Sequence, residues 1–204
     1  MPFARNVFVN CPFDDEYRTL LVPLLFTIYF LRFEPRIALE SLNSGRSRID
    51  KIVDLIKASK YAIHDISRVQ AMEAGEYFRL NMPLELGIDF ACQRFMPGQC
   101  RQKKLLILEA EKYRYKAAIS DLSGSDIAVH GNRPENLVAQ VRNWLNNNTR
   151  MKAASPSRVW AAYNEFNADN DAELTAEGFT RQEIEELPID ELMQCMKNWV
   201  TEKA

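Results

Sequence analysis

The segment Asn81-Met82-Pro83-Leu84-Glu85-Leu86-Gly87 carries the residue best suited to chemistry in this chain. Pro83 fits the start of a helix, where its missing N–H costs nothing and its fixed φ is already helical. Glu85 then falls one or two residues inside. Unpaired N–H groups and the positive end of the helix dipole favour an anion there. A carboxylate held ionised at the rim of an α/β sheet stabilises or attacks the positive charge that develops on a sugar as a glycosidic bond breaks. Glu85 also reads as an ordinary first-turn acid in a favourable dipole contact, and the motif alone does not separate the two readings.

Hydrophobic patterning supplies the elements that must position this group. Asn6 to Asn10, Phe33 to Leu39, Lys60 to Ile66, Lys104 to Leu108 and Asp126 to His130 read as strands. Helical spacing fills the gaps. Asp14 is a candidate N-cap for a helix carrying Tyr17, Leu20, Leu24 and Ile28, and Ser44 to Ser47 opens another with Ile49, Ile52, Val53 and Ile56. In the Glu85 helix, Leu84, Ile88 and Ala91 form the expected buried stripe, with Glu85, Asp89 and Cys92 on another. Asn132 to Glu135 starts a further helix whose buried face holds Leu137, Val138, Val141, Trp144 and Leu145. This alternation predicts an α/β fold, a flavodoxin-like doubly wound sheet of five parallel strands in the order 2-1-3-4-5. Residues 1–150 form that domain and 151–204 an acidic helical extension. The extension is too short for a core of its own, so it must dock on the body, on a twin chain or on another protein.

In such a sheet ligands bind beyond the carboxyl ends of the strands, where the connections diverge, here between strands one and three. The loop from Asn10 to Phe13 and the long segment from Ile66 to Met82 border that crevice, and Glu85 opens the helix leaving the second. Gly75, Tyr77, Phe78 and Arg79 suit a lid as well as an exposed extra turn. Asp65, ending strand three, either accepts hydrogen bonds from sugar hydroxyls or caps its own loop. Arg46, in Ser44-Gly45-Arg46-Ser47-Arg48, lies where a helix start holds a phosphate, although Ser-Gly is also a plain cap. His64 should face a helix or the core, and His130 reads as structural. Trp160, Tyr163 and Phe166 form a packing stripe rather than a platform for bases.

Composition narrows the classes. With 204 residues, 47% of them hydrophobic, the chain buries one sizeable core, and a net charge of −2 makes no overall case for nucleic acid or anionic membrane. The charge is uneven: 22 Lys and Arg stand against 17 Asp and Glu up to Ala154, and 4 against 11 beyond it. Four cysteines without paired spacing and two histidines offer no zinc ligand set and no disulfide framework. Reduced thiols, a start that runs directly into a strand, and an apolar run from Leu20 to Leu31 too short to span a bilayer lead to an expected cytoplasmic chain without a signal peptide. No Walker loop or Gly-x-Gly-x-x-Gly stretch is present, which disfavours those classes of NTP hydrolysis and hydride transfer.

Three stretches carry a family resemblance: Val7-Phe8-Val9-Asn10-Cys11-Pro12-Phe13, Ile63-His64-Asp65-Ile66-Ser67 and Glu85-Leu86-Gly87-Ile88-Asp89-Phe90-Ala91. Together, over about Arg5 to Asn147, they resemble the nucleoside 2-deoxyribosyltransferase-like group and the wider set of TIR-like domains. The resemblance implies cleavage of an N-glycosidic bond in a nucleoside or in NAD, with Glu85 as nucleophile or oxocarbenium stabiliser. It also implies assembly into dimers or larger oligomers and, for several prokaryotic relatives, a role in anti-phage defence. The transferases approach their glutamate through Asp-x-Gly-Thr, whereas Arg79-Leu80-Asn81-Met82 stands here, and the Ser-x-x-Cys-x-x-Glu pattern of many TIR enzymes is missing. Arg79 or Arg46 instead suits a phosphorylated substrate. The expected site is Glu85 at the anomeric carbon, Asp65 and Asn81 on the ribose, Asn10 and Phe13 against the base, and Arg46 on a phosphate. No metal or cofactor is needed, and NAD enters only as a possible substrate. The competing expectation is a catalytically silent nucleotide sensor or interaction module whose acidic extension reports to a partner.

Overall fold

The computed structural model describes residues 2–40, 45–68 and 80–203. Five parallel strands, β1 (Asn6–Asn10), β2 (Glu34–Ile37), β3 (Tyr61–Asp65), β4 (Lys104–Glu109) and β5 (Ile127–Val129), form one sheet in the order β2-β1-β3-β4-β5. Helices cover both faces, so the fold is the expected doubly wound α/β architecture. Both faces of β1 and β3 are buried along their whole length, which is why their sequences are nearly continuous apolar runs. Pro35 lies on the edge strand β2, where a residue without an N–H is tolerated.

One face carries α1 (Asp15–Phe30) and α4 (Pro134–Thr149), with α5 (Pro156–Ala176), the short α6 (Arg181–Glu185) and α7 (Ile189–Lys203) packed outside them. Asp14 caps α1 by accepting from the Tyr17 N–H at 2.9 Å, and Ser155 caps α5 ahead of Pro156. The extension therefore docks on its own body. Phe26 of α1 stacks on Phe166 of α5 with ring centroids 5.4 Å apart and also meets Tyr163 and Trp199. This packing explains why α1 is apolar almost all round: it is enclosed by the sheet on one side and by the last helices on the other. No described helix is long and apolar enough to cross a membrane.

The other face carries α2 (Arg48–Lys57) and α3 (Asn81–Phe95) over Phe8, Ile52, Ile56, Ala62, Cys92 and Cys100. Here α3 departs from expectation. Its buried residues are Met82, Glu85, Leu86, Asp89 and Cys92, while Leu84 is 57% exposed and Ala91 lies in solvent. The acidic stripe faces inward because the interior supplies partners: Lys103 Nζ lies 3.2 Å from Asp89 Oδ1 and His64 Nε2 lies 3.1 Å from Asp89 Oδ2. Expected residues Ser44, Gly75, Tyr77, Phe78 and Arg79 lie outside the described residues.

Candidate functional site

Asn10 ends β1 in register with His64 of β3. Its side-chain amide donates toward His64 Nδ1 and to the Met82 carbonyl, both at 2.9 Å. With Nδ1 accepting, the ring proton of His64 belongs on Nε2, toward Asp89. Asp89 in turn contacts Lys103, whose ammonium donates to the carbonyls of Ile56 at 2.7 Å and Ser59 at 2.5 Å. Those donors point at the carbonyls, so Asp89 Oδ1 contacts the lysine as an ion pair without a directed hydrogen bond. A buried polar chain thus runs from the floor of α2 to the first turn of α3. Asn10 is a brace within it, and its amide N–H groups are turned away from the base-facing position expected for it.

Asp65 is likewise an internal group. Its Oδ1 accepts from the Ser67 N–H at 2.9 Å and the Ser67 hydroxyl at 2.5 Å, and its Oδ2 accepts from the Tyr17 hydroxyl at 2.5 Å and faces His130 Nε2 at 3.1 Å. Burial pushes the Asp65 carboxyl up, but the bonds from His130, Ser67 and Tyr17 outweigh it and leave the group below the usual carboxylate range. With both oxygens engaged and no solvent exposure, Asp65 has no free acceptor for a sugar hydroxyl. The Tyr17 hydroxyl is pushed well up by burial and by Asp65.

Ser67, His130 and Asp65 invite comparison with a hydrolase triad, and the geometry rejects it. His130 Nδ1 accepts from the Asn132 N–H at 3.1 Å, so Nε2 carries the proton and faces both Asp65 and Ser67. A triad needs the serine and the aspartate on opposite ring nitrogens. This cluster is a strut joining the ends of β3 and β5.

Glu85 differs from its neighbours. It is 6% exposed, and among the described residues its carboxyl makes no hydrogen bond or ion pair. The helix begins at Asn81, two residues before Pro83, and the Leu84 N–H already donates to the Leu80 carbonyl at 3.1 Å. Glu85 therefore sits in the second turn, beyond the free N–H groups expected to hold it ionised. Burial raises its carboxyl to about 7, opposed only by Arg48 at the start of α2. The expectation of a permanently charged first-turn carboxylate is corrected to a group that changes protonation near neutrality. Cys11, the residue after β1, feels the charges of both Asp65 and Glu85, and the Met82 carbonyl one turn before Glu85 accepts from Asn10, so this part of α3 lies beside the end of β1. Its thiol is driven well up by burial and those carboxylates, so it is a poor nucleophile.

The remaining expected residues do not converge as a set. Arg46 is exposed, precedes α2 and is paired with Asp54 of that helix. Phe13 packs against the core beside α1. Asn81 is exposed as the first residue of α3, on the rim above Glu85. A cleft of about 300 Å³ opens on the α1 side of Asp65, lined by Tyr17, Ser67, Arg68, Glu111, Arg114 and Asn132. Arg114 closes it by donating to the Ser67 carbonyl at 2.5 Å and to Glu109 Oε1 at 2.6 Å. Sequence reasoning missed Tyr17, Ser67, Glu109 and Arg114. Only Ser67 left a local signal, an Asp-x-Ser spacing that favours a side-chain turn. Among the described residues no group of three or more His, Cys, Asp or Glu stands ready for a metal ion. Two hollows of about 310 and 320 Å³ lie beside β2 and α7, away from Glu85, and the Lys197 and Glu34 charges there already pair at 2.9 Å. Comparison with family models, curated proteins and solved structures finds no match for the chain.

Proposed function

We propose that the chain is an N-glycosidase or N-glycosyltransferase acting on a nucleotide-like substrate through Glu85. One observation carries this reading: a nearly buried carboxyl that no described residue partners, one helical turn past the Met82 carbonyl that is bonded to Asn10 at the carboxyl end of β1, where doubly wound sheets bind ligands. A carboxyl near 7 occurs in both protonation states at neutral pH. As the carboxylate, it is poorly solvated and strongly attracted to positive charge developing at an anomeric carbon. In the covalent route a Glu85 oxygen bonds to that carbon as the carbon–nitrogen bond breaks, and the electron pair leaves with the base. Water or a second base then displaces the glutamyl ester. In the alternative route the carboxylate stabilises the oxocarbenium while water attacks. Asn81 at the rim is the described polar side chain best placed to meet the sugar. Arg46 reaches a phosphate only by giving up Asp54.

A second reading, a nucleotide-binding module without turnover, is favoured by one specific observation. Asn10 and Asp65, the other polar groups expected to grip the sugar, are consumed by internal bonds. Incubation with NAD and a panel of nucleosides and nucleotides, followed by chromatography for released base, separates the readings. Release by the native chain and none by Glu85→Gln supports the enzyme. Saturable binding without release supports the module, and equal release by both proteins eliminates Glu85 as the reactive group.

A further inference from the structure

Three sulfurs meet where α3 ends. Cys92 lies in the last turn of the helix, and Met96 caps it one turn later with its N–H on the Cys92 carbonyl. Four-residue spacing puts both side chains on one helix face, and the Cys92 thiol donates to Met96 Sδ at 3.8 Å. Pro97 stops the helix, and Gly98, at φ 71°, makes a left-handed turn that residues with a Cβ rarely adopt. The chain doubles back through the short helix Gly98–Gln102 and brings Cys100 beside Cys92, in the cluster with Phe8, Ile52, Ile56 and Ala62. There the Cys100 thiol is hydrogen-bonded to Cys92. Two further bonds pin this turn: the Gln93 amide donates to the Lys103 carbonyl at 2.7 Å, and the Lys103 N–H to the Cys100 carbonyl at 3.1 Å. Both thiols are buried, whereas Met96 is 36% exposed and meets solvent.

We propose that Cys92, Met96 and Cys100 form a binding site for a soft monovalent metal ion of the cuprous class. Thiolate and thioether sulfurs are soft donors that select Cu(I). Zinc is held tetrahedrally by four Cys, His or carboxylate groups. The nearest carboxylate along the helix, Asp89, is already turned to Lys103 and His64, so a fourth zinc ligand is lacking among the described residues. A metal–thiolate bond is about 2.3 Å long, so three sulfurs around one ion stand about 4 Å apart. The Cys92–Met96 separation of 3.8 Å already matches. Binding exchanges two S–H protons for one cation: both protons leave to water, and the complex carries one net negative charge. Burial and the adjoining Cys100 thiol raise the metal-free Cys92 thiol to about 11, and Lys103 opposes them. A cation between the two sulfurs compensates the charge that burial penalises. The ion ties the end of α3 to the approach to β4, two helical turns from Glu85, and its binding is independent of any reaction there.

Anaerobic titration of the reduced full chain with Cu(I), in competition with the chromophoric chelator bicinchoninate, tests this. The native chain should withdraw one equivalent, and X-ray absorption of the loaded protein should show three sulfurs at about 2.3 Å. Met96→Leu conserves volume and should fold, show two sulfurs and bind at least about tenfold more weakly, the scale lost with a mere outer-shell partner. Cys92→Ala/Cys100→Ala should lose the equivalent, and Cys11→Ala/Cys195→Ala should keep it, with circular dichroism confirming that each is folded. The native melting temperature should rise with Cu(I) and stay unchanged with Zn(II) at the same concentration. A native chain that takes no Cu(I) from the chelator overturns the proposal. Unchanged affinity in Met96→Leu or in Cys92→Ala/Cys100→Ala overturns it too, since that is adventitious thiol binding only. So does a larger thermal rise with Zn(II) than with Cu(I).

Discussion

Lys103 Nζ and Asp89 Oδ1 stand 3.2 Å apart with both side chains shut off from solvent. The lysine precedes β4 and the aspartate is on α3, so this contact locks the helix that presents Glu85. Breaking such a pair strands a charge in the interior and costs about 3–5 kcal/mol. Lys103→Met should therefore lower stability by that order, read from urea unfolding at pH 7. Lys103→Met combined with Asp89→Leu should lose less than the sum of the single changes, since no unpaired charge remains. A Lys103→Met chain as stable as the native one would show that the pair is not what holds α3.

Asp65 predicts a response to acid. Its carboxyl is held below the ordinary range in the fold, so the stability it contributes is complete above the unfolded value of about 3.9 and is lost as pH falls through the lower folded value. Asp65→Asn should be less stable by about 3 kcal/mol at pH 7, given several hydrogen bonds to one charged group. The difference between the two proteins should shrink below about pH 4. Denaturant midpoints measured from pH 3 to pH 7 check this, and a gap independent of pH removes ionised Asp65 from the account.

Glu85 predicts the opposite slope. Its folded value of about 7 lies above its ordinary 4.5, so between those limits the native state holds a proton that the unfolded chain releases. Stability is then lost as pH rises from about 4.5 through 7, by up to roughly 3 kcal/mol. Glu85→Gln should abolish that slope and exceed native stability at pH 8. If turnover uses the carboxylate, native base release should rise over the same interval and level off above it. A native unfolding free energy that is flat between pH 5 and pH 8 rejects the raised value.

The last helices form part of the core rather than an appendage. Phe166 is buried against Phe26 and Trp199, so Phe166→Ala should cost about 3–5 kcal/mol. Deleting residues after 150 should leave no cooperatively folding body, because it strips the cover from α1. Differential scanning calorimetry distinguishes this from an independent domain, which would keep its own transition.

Much of this molecule follows from local pattern. The five strands, the Asp14 cap and the core face of α4 each rest on spacings within a dozen residues, and period-2 or period-3.6 burial is imposed wherever a segment lies. The inward position of His64 follows from the same alternation along β3. The orientation of α3 does not. It bears an apolar stripe and an acidic stripe, and local preference favours burying the first. The second is buried because Lys103 and His64, far apart in sequence, converge on Asp89 and compensate its charge. Asp65 became a strut rather than a sugar ligand for a similar reason: Tyr17 and His130 reach it from α1 and from the end of β5. Whether a buried acid is free to react depends on which donors surround it, and those donors are brought together only by the tertiary fold. For Glu85, no described residue supplies such a donor.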